Sequence, residues 1–551
     1  MSTCRHPHVL SLSHRGYIQG ATISSKQTGT PLCHFYGGVR YALAPASRWR
    51  RAHALPSTFT YGTKDQPGLC EEGASVCPQP GFRGPADESR WNEDCFQCNV
   101  WVPIGEPPKE GWPVFVFIHG GWLQFGTPNT VSVSSLLGET EFKCVMVMPA
   151  YRLNVFGFLY SAEVQDDASA AGETVGNFGF WDQRLALEWI KENISLFGGN
   201  PDNVTLAGYS AGMKTKIIRW GIADIQTGAY SVFYQIAYEV RLPESQAIIK
   251  QACIWSNGPG MQPKSLPETQ KQFDQLVSAL EIPVHLTPTE KMAQLRSIPA
   301  KKLLAAAASI PLHQFRPATD SCFVSRGLFA TLNSGEFGRA LAARNIRLLL
   351  GECRDEHALY ALWFPPRADS LPALRERLLA DYPAENVDKL IPLYYPDNRL
   401  PPLCADWRSQ GFGRIYADMQ VHTVQRGLVA SLARAGASHL LHRYRIEYRL
   451  RCVDEVYPPE YGVTHSTDQY IWFWGNGFSI SEQEKKTISE ALIGPLVRFV
   501  RGEDIRATWG TSGHRQLRRL RSDGRVDIWE DELWEDAMRV WTALSSVRPR
   551  L

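Results

Sequence analysis

Residues 208–212, which read GYSAG, have the G-x-S-x-G pattern of a serine nucleophile. The preceding residues 204–208 form a short apolar run that predicts a buried strand. A serine on a sharp strand-to-helix turn needs small residues on both sides, and the turn places its hydroxyl at a helix N-terminus, where partial positive charge favours an oxyanion. An isolated match is common in surface loops, but the strand context predicts that Ser210 is a nucleophile.

A second glycine-rich turn lies ahead of this serine, in residues 117–122, which read FIHGGW. Glycine lets backbone N–H groups approach a substrate oxygen closely, so a strand that ends in His-Gly-Gly suits an oxyanion hole. An ordinary glycine turn after a strand is the alternative interpretation. Next to the serine turn, the pattern predicts that the N–H groups of Gly120, Gly121 and Ala211 stabilise the oxyanion.

A serine nucleophile needs a base and the base needs an orienting carboxylate, in the chain order serine, acid, histidine for this type of turn. Eight histidines follow Ser210: His285, His313, His357, His422, His439, His442, His465 and His514. His465 is the favoured base because it lies in a loop after the last strong strand. Three acids follow the strand predicted at residues 346–351: Glu352, Asp355 and Glu356. Composition does not choose among these acids.

The elements that must position these residues alternate along the chain between strand-like and helix-like stretches. This alternation predicts a mainly parallel sheet with helices on both faces. Strands are predicted at residues 96–102, 114–119, 144–149, 204–208, 252–255, 346–351 and 439–447. A helix is predicted over residues 181–197. Residues 262–310 and 370–430 are predicted to be helical and are interpreted as cap elements over the sheet rather than separate domains.

The bulk composition argues against several classes of function. The formal net charge of +2 does not indicate nucleic acid or an anionic membrane surface as a partner, and no apolar run is long enough for a transmembrane helix. The first residues contain no signal-peptide pattern, so a cytoplasmic location is expected. The twelve cysteines show no paired zinc spacing. We therefore expect a small-molecule substrate and neither metal nor cofactor, while the oligomeric state is left open.

Several segments together resemble the type-B carboxylesterase family, which includes the cholinesterases and the non-catalytic neuroligins. The segments are residues 36–42 (YGGVRYA), 93–103 (EDCFQCNVWVP), 151–159 (YRLNVFGFL), 176–184 (GNFGFWDQR) and 197–201 (FGGNP). The resemblance covers residues 16–545. It implies one α/β-hydrolase domain, with a central, mostly parallel sheet, helices on both faces and helical cap insertions.

The resemblance also implies roles for particular residues. The family's acid lies in a "DEG" motif that matches residues 355–357, which selects Glu356 and leaves His357 in place of the usual glycine. The family's base lies in a loop before an aromatic segment, and the match selects His465. The family's first disulfide matches Cys77 with Cys95, although a reducing cytosol would keep these two residues as thiols.

The implied reaction is acyl transfer to water through a Ser210–His465–Glu356 triad. Cholinesterases carry glutamate before the serine, where a carboxylate helps to attract a cationic substrate, but this chain has Tyr209. A neutral, apolar ester is therefore the expected substrate. Two alternatives stay open: a non-catalytic or inactivated member of the same fold, and a hydrolase of a biosynthetic lactone, thioester or amide.

Residues 213–228 depart from the family pattern directly after the serine turn. When these sixteen residues are removed, the sequence reads GYSAG followed by AYSVFYQIAYE, as in the family. One interpretation is a translated intron, because its ends can be encoded with donor-like GTATG and acceptor-like CAG, and a genomic sequence without these signals would contradict it. The other is a genuine insertion that forms a new loop. Either way we expect residues 229–239 to be displaced from their packing site and activity to be lower.

Overall fold

A computed structural model of the protein describes residues 2–81, 87–173, 176–209, 228–402 and 404–545. Twelve strands of one central sheet position the site. They are β1 (Thr3–Ser11), β2 (Tyr17–Ser25), β3 (Pro31–Arg40), β4 (Gln97–Pro103), β5 (Trp112–Ile118), β6 (Val145–Pro149), β7 (Gly199–Tyr209), β8 (Ile249–Trp255), β9 (Arg347–Cys353), β10 (Leu441–Ile446), β11 (Gln516–Leu520) and β12 (Val526–Glu530). The short strand Gly68–Leu69 pairs with β2.

The strand order is β1-β2-β3-β4-β6-β5-β7-β8-β9-β10-β11-β12. The seven strands from β6 to β11 in this order pair in parallel, whereas the pairings at both ends of the sheet are antiparallel. The carboxyl ends of β5, β7, β9 and β10 therefore lie along the same edge. This edge is where open α/β sheets place their ligands.

All seven strands predicted from the sequence are present, with ends shifted by a few residues. The central ones are almost wholly buried, which explains why their sequences are short apolar runs rather than alternating patterns. β1, β2 and β3 at one end of the sheet and β11 and β12 at the other were not predicted. β1 and β12 are partly exposed and rich in polar residues, so their hydrophobic signal is weak.

The helices pack around the sheet and lie between its strands in the sequence. They are α1 (Ser134–Glu139), α2 (Asn154–Phe158), α3 (Ala162–Ala170), α4 (Phe178–Asn193), α5 (Gly228–Glu239), α6 (Leu266–Ala279), α7 (Pro288–Ser297), α8 (Ala300–Ser309), α9 (Leu328–Ser334), α10 (Glu336–Ala343), α11 (Glu356–Tyr360), α12 (Leu371–Asp381), α13 (Ala384–Tyr394), α14 (Phe412–Ala417), α15 (Thr423–Arg434), α16 (Gln469–Trp472), α17 (Glu482–Ile488), α18 (Gly494–Val500), α19 (Arg506–Trp509) and α20 (Trp534–Ser545). Within the described ranges, none of them is both long and apolar enough to cross a membrane.

The predicted helix at residues 181–197 is confirmed as α4 followed by a short 3₁₀ segment, Ile194–Phe197. The two regions interpreted as cap elements are also helical. Residues 262–310 contain α6, α7 and α8, and residues 370–430 contain α12, α13, α14 and most of α15. Capping boxes begin α6 and α7, each with a proline in the first turn, so these helix starts are specified locally.

Helix α5 corrects one expectation, because residues 229–239 are not displaced. The helix is buried along almost its whole length and packs on β7 and β8. Gln183 Nε2 donates to Ser231 Oγ at 3.0 Å, and the buried Glu239 carboxylate pairs with Arg184 and accepts the N–H groups of Ile248 and Ile249. These contacts hold the helix at both ends, although it follows the segment 213–228 in the chain.

Candidate active site

The site begins with a buried histidine–carboxylate pair. Glu356 is the first residue of α11, directly after the carboxyl end of β9, and His465 lies in the loop after β10. His465 Nδ1 donates to Glu356 Oε2, and both side chains are fully buried. Glu356 Oε1 accepts the N–H of Cys353 at 2.8 Å. His465 Nε2 has no hydrogen-bond partner among the described residues, so the carboxylate orients a ring whose second nitrogen is available as a base.

Asp355 holds the loop of His465 in register with Glu356. Asp355 donates its backbone N–H to the carbonyl of Val463 at 2.9 Å, and its Oδ2 accepts the N–H of Val463 at 2.8 Å. The hydroxyl of Thr464 accepts the N–H of Leu359 at 3.0 Å. Because the two segments bind each other on both sides of the pair, the acid and the base are positioned together.

Glu352, the third acid left open by the sequence, belongs to a different cluster. Its carboxylate accepts from His422 Nδ1 at 2.7 Å and pairs with Arg426 and Arg445 at 2.8 and 2.5 Å. Burial opposes its ionisation, but the two arginines and His422 hold the pKa of Glu352 well below its usual range. Arg426 also pairs with the buried Asp531. Glu352 is therefore committed to a structural ion cluster and is not free to orient His465.

The predicted oxyanion turn lies at the carboxyl end of β5. The carbonyl of Gly121 accepts the N–H groups of Gln124 and Phe125 at 2.7 and 3.0 Å. Gly121 has φ +117°, and a Cβ there would lie 1.5 Å from the carbonyl oxygen of Phe125, so only glycine fits. Within the described residues, the N–H groups of Gly120 and Gly121 have no acceptor. Their role as donors to a substrate oxyanion stays a prediction.

Tyr209 connects the serine turn to the histidine loop. Ser210 and Ala211 lie outside the described residues, and Tyr209, the last residue of β7, is fully buried. Its hydroxyl donates to Asp468 Oδ1 and accepts the N–H of Ser466 at 2.6 Å. Its ring centroid lies 5.6 Å from that of His465. The residue before Ser210 is thus anchored to the residues that follow His465.

Sequence reasoning missed these roles of Tyr209 and Asp468. Tyr209 was noted only for the charge that it does not carry, and Asp468 was given no role. The order of residues along the chain gives no sign of their contact, because 259 positions separate the two. A buried tyrosine hydroxyl needs a partner, but this rule does not say which one.

An aromatic wall joins the glycine turn after β5 to His465. Trp122 follows Gly121 and stacks on Trp363 with ring centroids 3.8 Å apart and an interplanar angle of 6°. Tyr360 contacts Trp122 edge-on at 5.7 Å and His465 at 4.4 Å. These rings keep the surroundings of His465 apolar.

A cavity of about 450 Å³ includes in its lining Gln124, whose N–H bonds the carbonyl of Gly121, whereas Gly120, Gly121, Glu356 and His465 do not line it. Ten of its seventeen other lining residues are apolar, and eight of these come from α8 and from the segments after α8 and α11: Leu304, Ala307, Ala308, Pro311, Phe315, Phe364, Pro365 and Pro366. Its charged lining residues are three arginines and one glutamate: Arg367, Arg377, Arg408 and Glu376. The cavity therefore offers apolar surface with a positive rather than a negative charge balance.

Comparisons with known proteins agree with this geometry. The sequence model described as "Carboxylesterase family" matches residues 6–216. A "Carboxylic ester hydrolase" of Gibberella moniliformis is 43% identical over 98% of this chain and 97% of its own length. The chain belongs to the carboxylesterase family. This carboxylesterase is also 34% identical to an "Uncharacterized esterase/lipase" of Schizosaccharomyces pombe, over 98% of this chain and 97% of the relative.

The fold of the carboxylesterase is likewise shared with a solved structure. The crystal structure of Aspergillus niger EstA superposes with a TM-score of 0.72 at 20% identity and covers 98% of both chains. The predicted α/β-hydrolase fold, with a mostly parallel sheet flanked by helices, is confirmed. The chain is a carboxylic ester hydrolase by family.

The disulfide implied by the family resemblance is not formed in the structure. Cys77 and Cys95 are both free and buried. A hydrogen bond to the Cys77 thiol, together with burial, raises the pKa of Cys95 well above its usual range. The two thiols are thus neighbours without a covalent bond.

Asp468 makes the stability of this carboxylesterase depend on pH. Burial, with the nearby Glu356 carboxylate, raises the pKa of Asp468 to about 6. A raised folded-state pKa of an acid stabilises the fold below the unfolded pKa, and this stabilisation is lost as pH rises through about 6. Asp468→Asn keeps an acceptor for Tyr209 and removes the titration. We expect the melting temperature of the variant, relative to the parent, to be higher by a few degrees at pH 8 than at pH 5.

The measurement is a pair of thermal melts of parent and variant at each pH, so that other titrating groups cancel. Glu490→Gln is a suitable control, because this glutamate lies on the exposed side of the helical segment Ser489–Ile493. A difference between Asp468→Asn and the parent that does not change with pH would contradict the expectation.

Proposed function

We propose that the protein hydrolyses carboxylic esters through Ser210 as nucleophile, His465 as general base and Glu356 as the orienting acid. The observation that carries the proposal is the buried His465–Glu356 pair, whose Nε2 has no partner among the described residues. Tyr209 places the start of the serine turn beside this pair. Ser210 follows Tyr209 directly in the sequence.

The proposed steps follow from these positions. His465 Nε2 takes the proton of Ser210 as its hydroxyl oxygen attacks the ester carbonyl, and the N–H groups of Gly120 and Gly121 stabilise the oxyanion. His465 then protonates the leaving alcohol, and an acyl-serine forms. Water, activated by the same nitrogen, hydrolyses the acyl-serine. Glu356 stays ionised and stabilises the imidazolium in both halves of the reaction.

We infer that the substrate is a neutral, apolar ester. The cavity beside Gln124 is lined mainly by apolar side chains, and arginines outnumber the one glutamate there. A positive charge balance disfavours a cationic alcohol such as choline. Tyr209 occupies the sequence position before the serine where the cholinesterases carry glutamate, and its hydroxyl is bonded to Asp468 and Ser466.

The test uses the full chain and a shortened chain that lacks residues 213–228. A fluorophosphonate probe is expected to label whichever of these two chains is active. In that chain, Ser210→Ala is expected to abolish both labelling and hydrolysis of p-nitrophenyl butyrate. Loss of the nucleophile removes on the order of 10⁶-fold in kcat. The same protein is expected to hydrolyse p-nitrophenyl butyrate with a kcat/KM at least about 10-fold above that for butyrylthiocholine.

Ser466→Ala is the matched control. This neighbouring serine is buried, and its hydroxyl has no partner among the described residues, so its loss leaves labelling in place. Labelling that persists in Ser210→Ala, or the absence of Ser210-dependent labelling from both chains, would refute the proposed nucleophile. A preference for butyrylthiocholine would refute the substrate class.

A further inference from the structure

The second glycine of the G-x-S-x-G serine turn is the feature in which this chain differs from an ordinary carboxylesterase. In a G-x-S-x-G turn the two glycines lie on either side of the strand-to-helix bend, where side chains would collide. The sequence assigns these positions to Gly208 and Gly212. In the structure, the residue packed against Gly208 is Gly228: a Cβ on Gly208 would lie 2.2 Å from the carbonyl carbon of Gly228.

Gly228 has the environment that such a glycine requires. A Cβ on Gly228 would lie 1.7 Å from the carbonyl oxygen of Ile118 and 2.7 Å from Cα of Gly208. Real Cβ atoms do not approach backbone atoms this closely, so no other residue fits. Ile118 is the last residue of β5, two positions before Gly120. Gly228 therefore lies in close contact with both β7, the strand before the serine, and β5, the strand that carries the oxyanion turn.

The helix that begins at Gly228 is the one that should follow the nucleophile. Gly228 is the first residue of α5, whose residues 229–239 match the family's helix after the serine. The contacts of Ser231 and Glu239 hold this helix on the sheet. The strand before the serine, the contact between Gly208 and Gly228 and the helix α5 are therefore all in place. The chain between Tyr209 and Gly228 contains eighteen residues, 210–227, whereas the G-x-S-x-G pattern needs two.

Resting on the function proposed above, we propose that Gly228, and not Gly212, is the closing glycine of the nucleophile turn, and that sixteen residues are interposed in a site that the fold otherwise completes. Because residues 212 and 228 are both glycine, deleting 212–227 or 213–228 produces the same polypeptide. In that shortened chain, Ser210 and Ala211 alone join Tyr209 to the closing glycine. The shortened chain is the catalytically competent form.

The first test compares two single substitutions in the full chain. Gly228→Ala is expected to lower the apparent melting temperature by several degrees, or to prevent accumulation of soluble protein, because a methyl group collides with the backbone of Ile118 and Gly208. Gly212→Ala is expected to leave the melting temperature within about one degree of the parent. Equal shifts, or a larger shift for Gly212→Ala, would overturn the proposal.

The second test measures the shortened chain directly. In the shortened chain, kcat for p-nitrophenyl butyrate is expected to be at least about 100-fold higher than in the full chain, because the N–H of Ala211 would act together with those of Gly120 and Gly121, and the melting temperature is expected not to fall. A shortened chain that melts lower than the full chain, or that gains no activity while it still labels at Ser210, would overturn the proposal. A shortened chain that is stable but unlabelled would instead refute Ser210 as nucleophile and leave the position of Gly228 unaffected.

Discussion

Replacing His465 by glutamine in the shortened chain is expected to lower kcat for p-nitrophenyl butyrate by on the order of 10⁶-fold. Glutamine can still donate one hydrogen bond to the ionised Glu356, so the loop keeps a polar contact, but it cannot take a proton from Ser210 at neutral pH. The N–H groups of the oxyanion turn and the binding cavity are unchanged. The residual rate is therefore expected to stay about 10³-fold or more above that in water.

His422→Gln is the matched control for this substitution. His422 also bonds a buried glutamate through Nδ1, at 2.7 Å from Glu352, so the two histidines have the same type of partner. The two pairs differ because Glu352, unlike Glu356, also forms ion pairs with Arg426 and Arg445. His422→Gln is expected to change kcat by less than about 10-fold. Similar losses of kcat in the two variants would contradict the assignment of the base.

Replacing Glu356 by glutamine is the second substitution with a large expected effect, a loss of about 10⁴-fold in kcat. The amide oxygen can still accept the N–H of Cys353, which lies 2.8 Å from Glu356 Oε1, so the end of β9 stays in place. The amide does not stabilise a charged imidazolium, and it can hold His465 in the wrong tautomer. The measurement is kcat in steady state, with KM expected to change little.

The two other acids of this segment are the controls. Asp355→Asn keeps acceptors for the N–H of Val463, so its kcat is expected to fall by less than about 10-fold. Glu352→Gln removes one carboxylate from the ion cluster and leaves Arg426 with Asp531 and Arg445 with Glu447, so it is expected to lower the melting temperature while kcat of the folded protein changes little. A loss of kcat in Asp355→Asn or Glu352→Gln as large as in Glu356→Gln would contradict Glu356 as the orienting acid.

The sequence indicated most of the sheet, because the central strands are buried on both faces and their apolar runs are continuous. It did not indicate β1–β3 and β11–β12 at the two ends of the sheet, where β1 and β12 are partly exposed. It also led to a wrong expectation for residues 229–239. The contacts of α5 with β7 and β8 are specified by its own side chains, so the extra segment ahead of it does not prevent the helix from docking.

The choice among the three acids shows where local reasoning ends. Glu352, Asp355 and Glu356 lie within five positions of one another, and each has a carboxylate that could orient a histidine. Only their partners separate them: an arginine cluster for Glu352, the loop backbone for Asp355 and His465 for Glu356. Family resemblance selected Glu356, and the structure supplies the physical reason.

By itself the sequence determined the type of chemistry, since the serine turn, the His-Gly-Gly turn and the order of serine, acid and histidine are properties of short segments. The tertiary structure alone decided three further points: the coupling of Tyr209 to Asp468, the partners of each acid, and the packing of Gly228 against Gly208. Each depends on contacts between positions that are distant in the chain. Such contacts exist only once the parallel strands have brought their carboxyl ends to one edge.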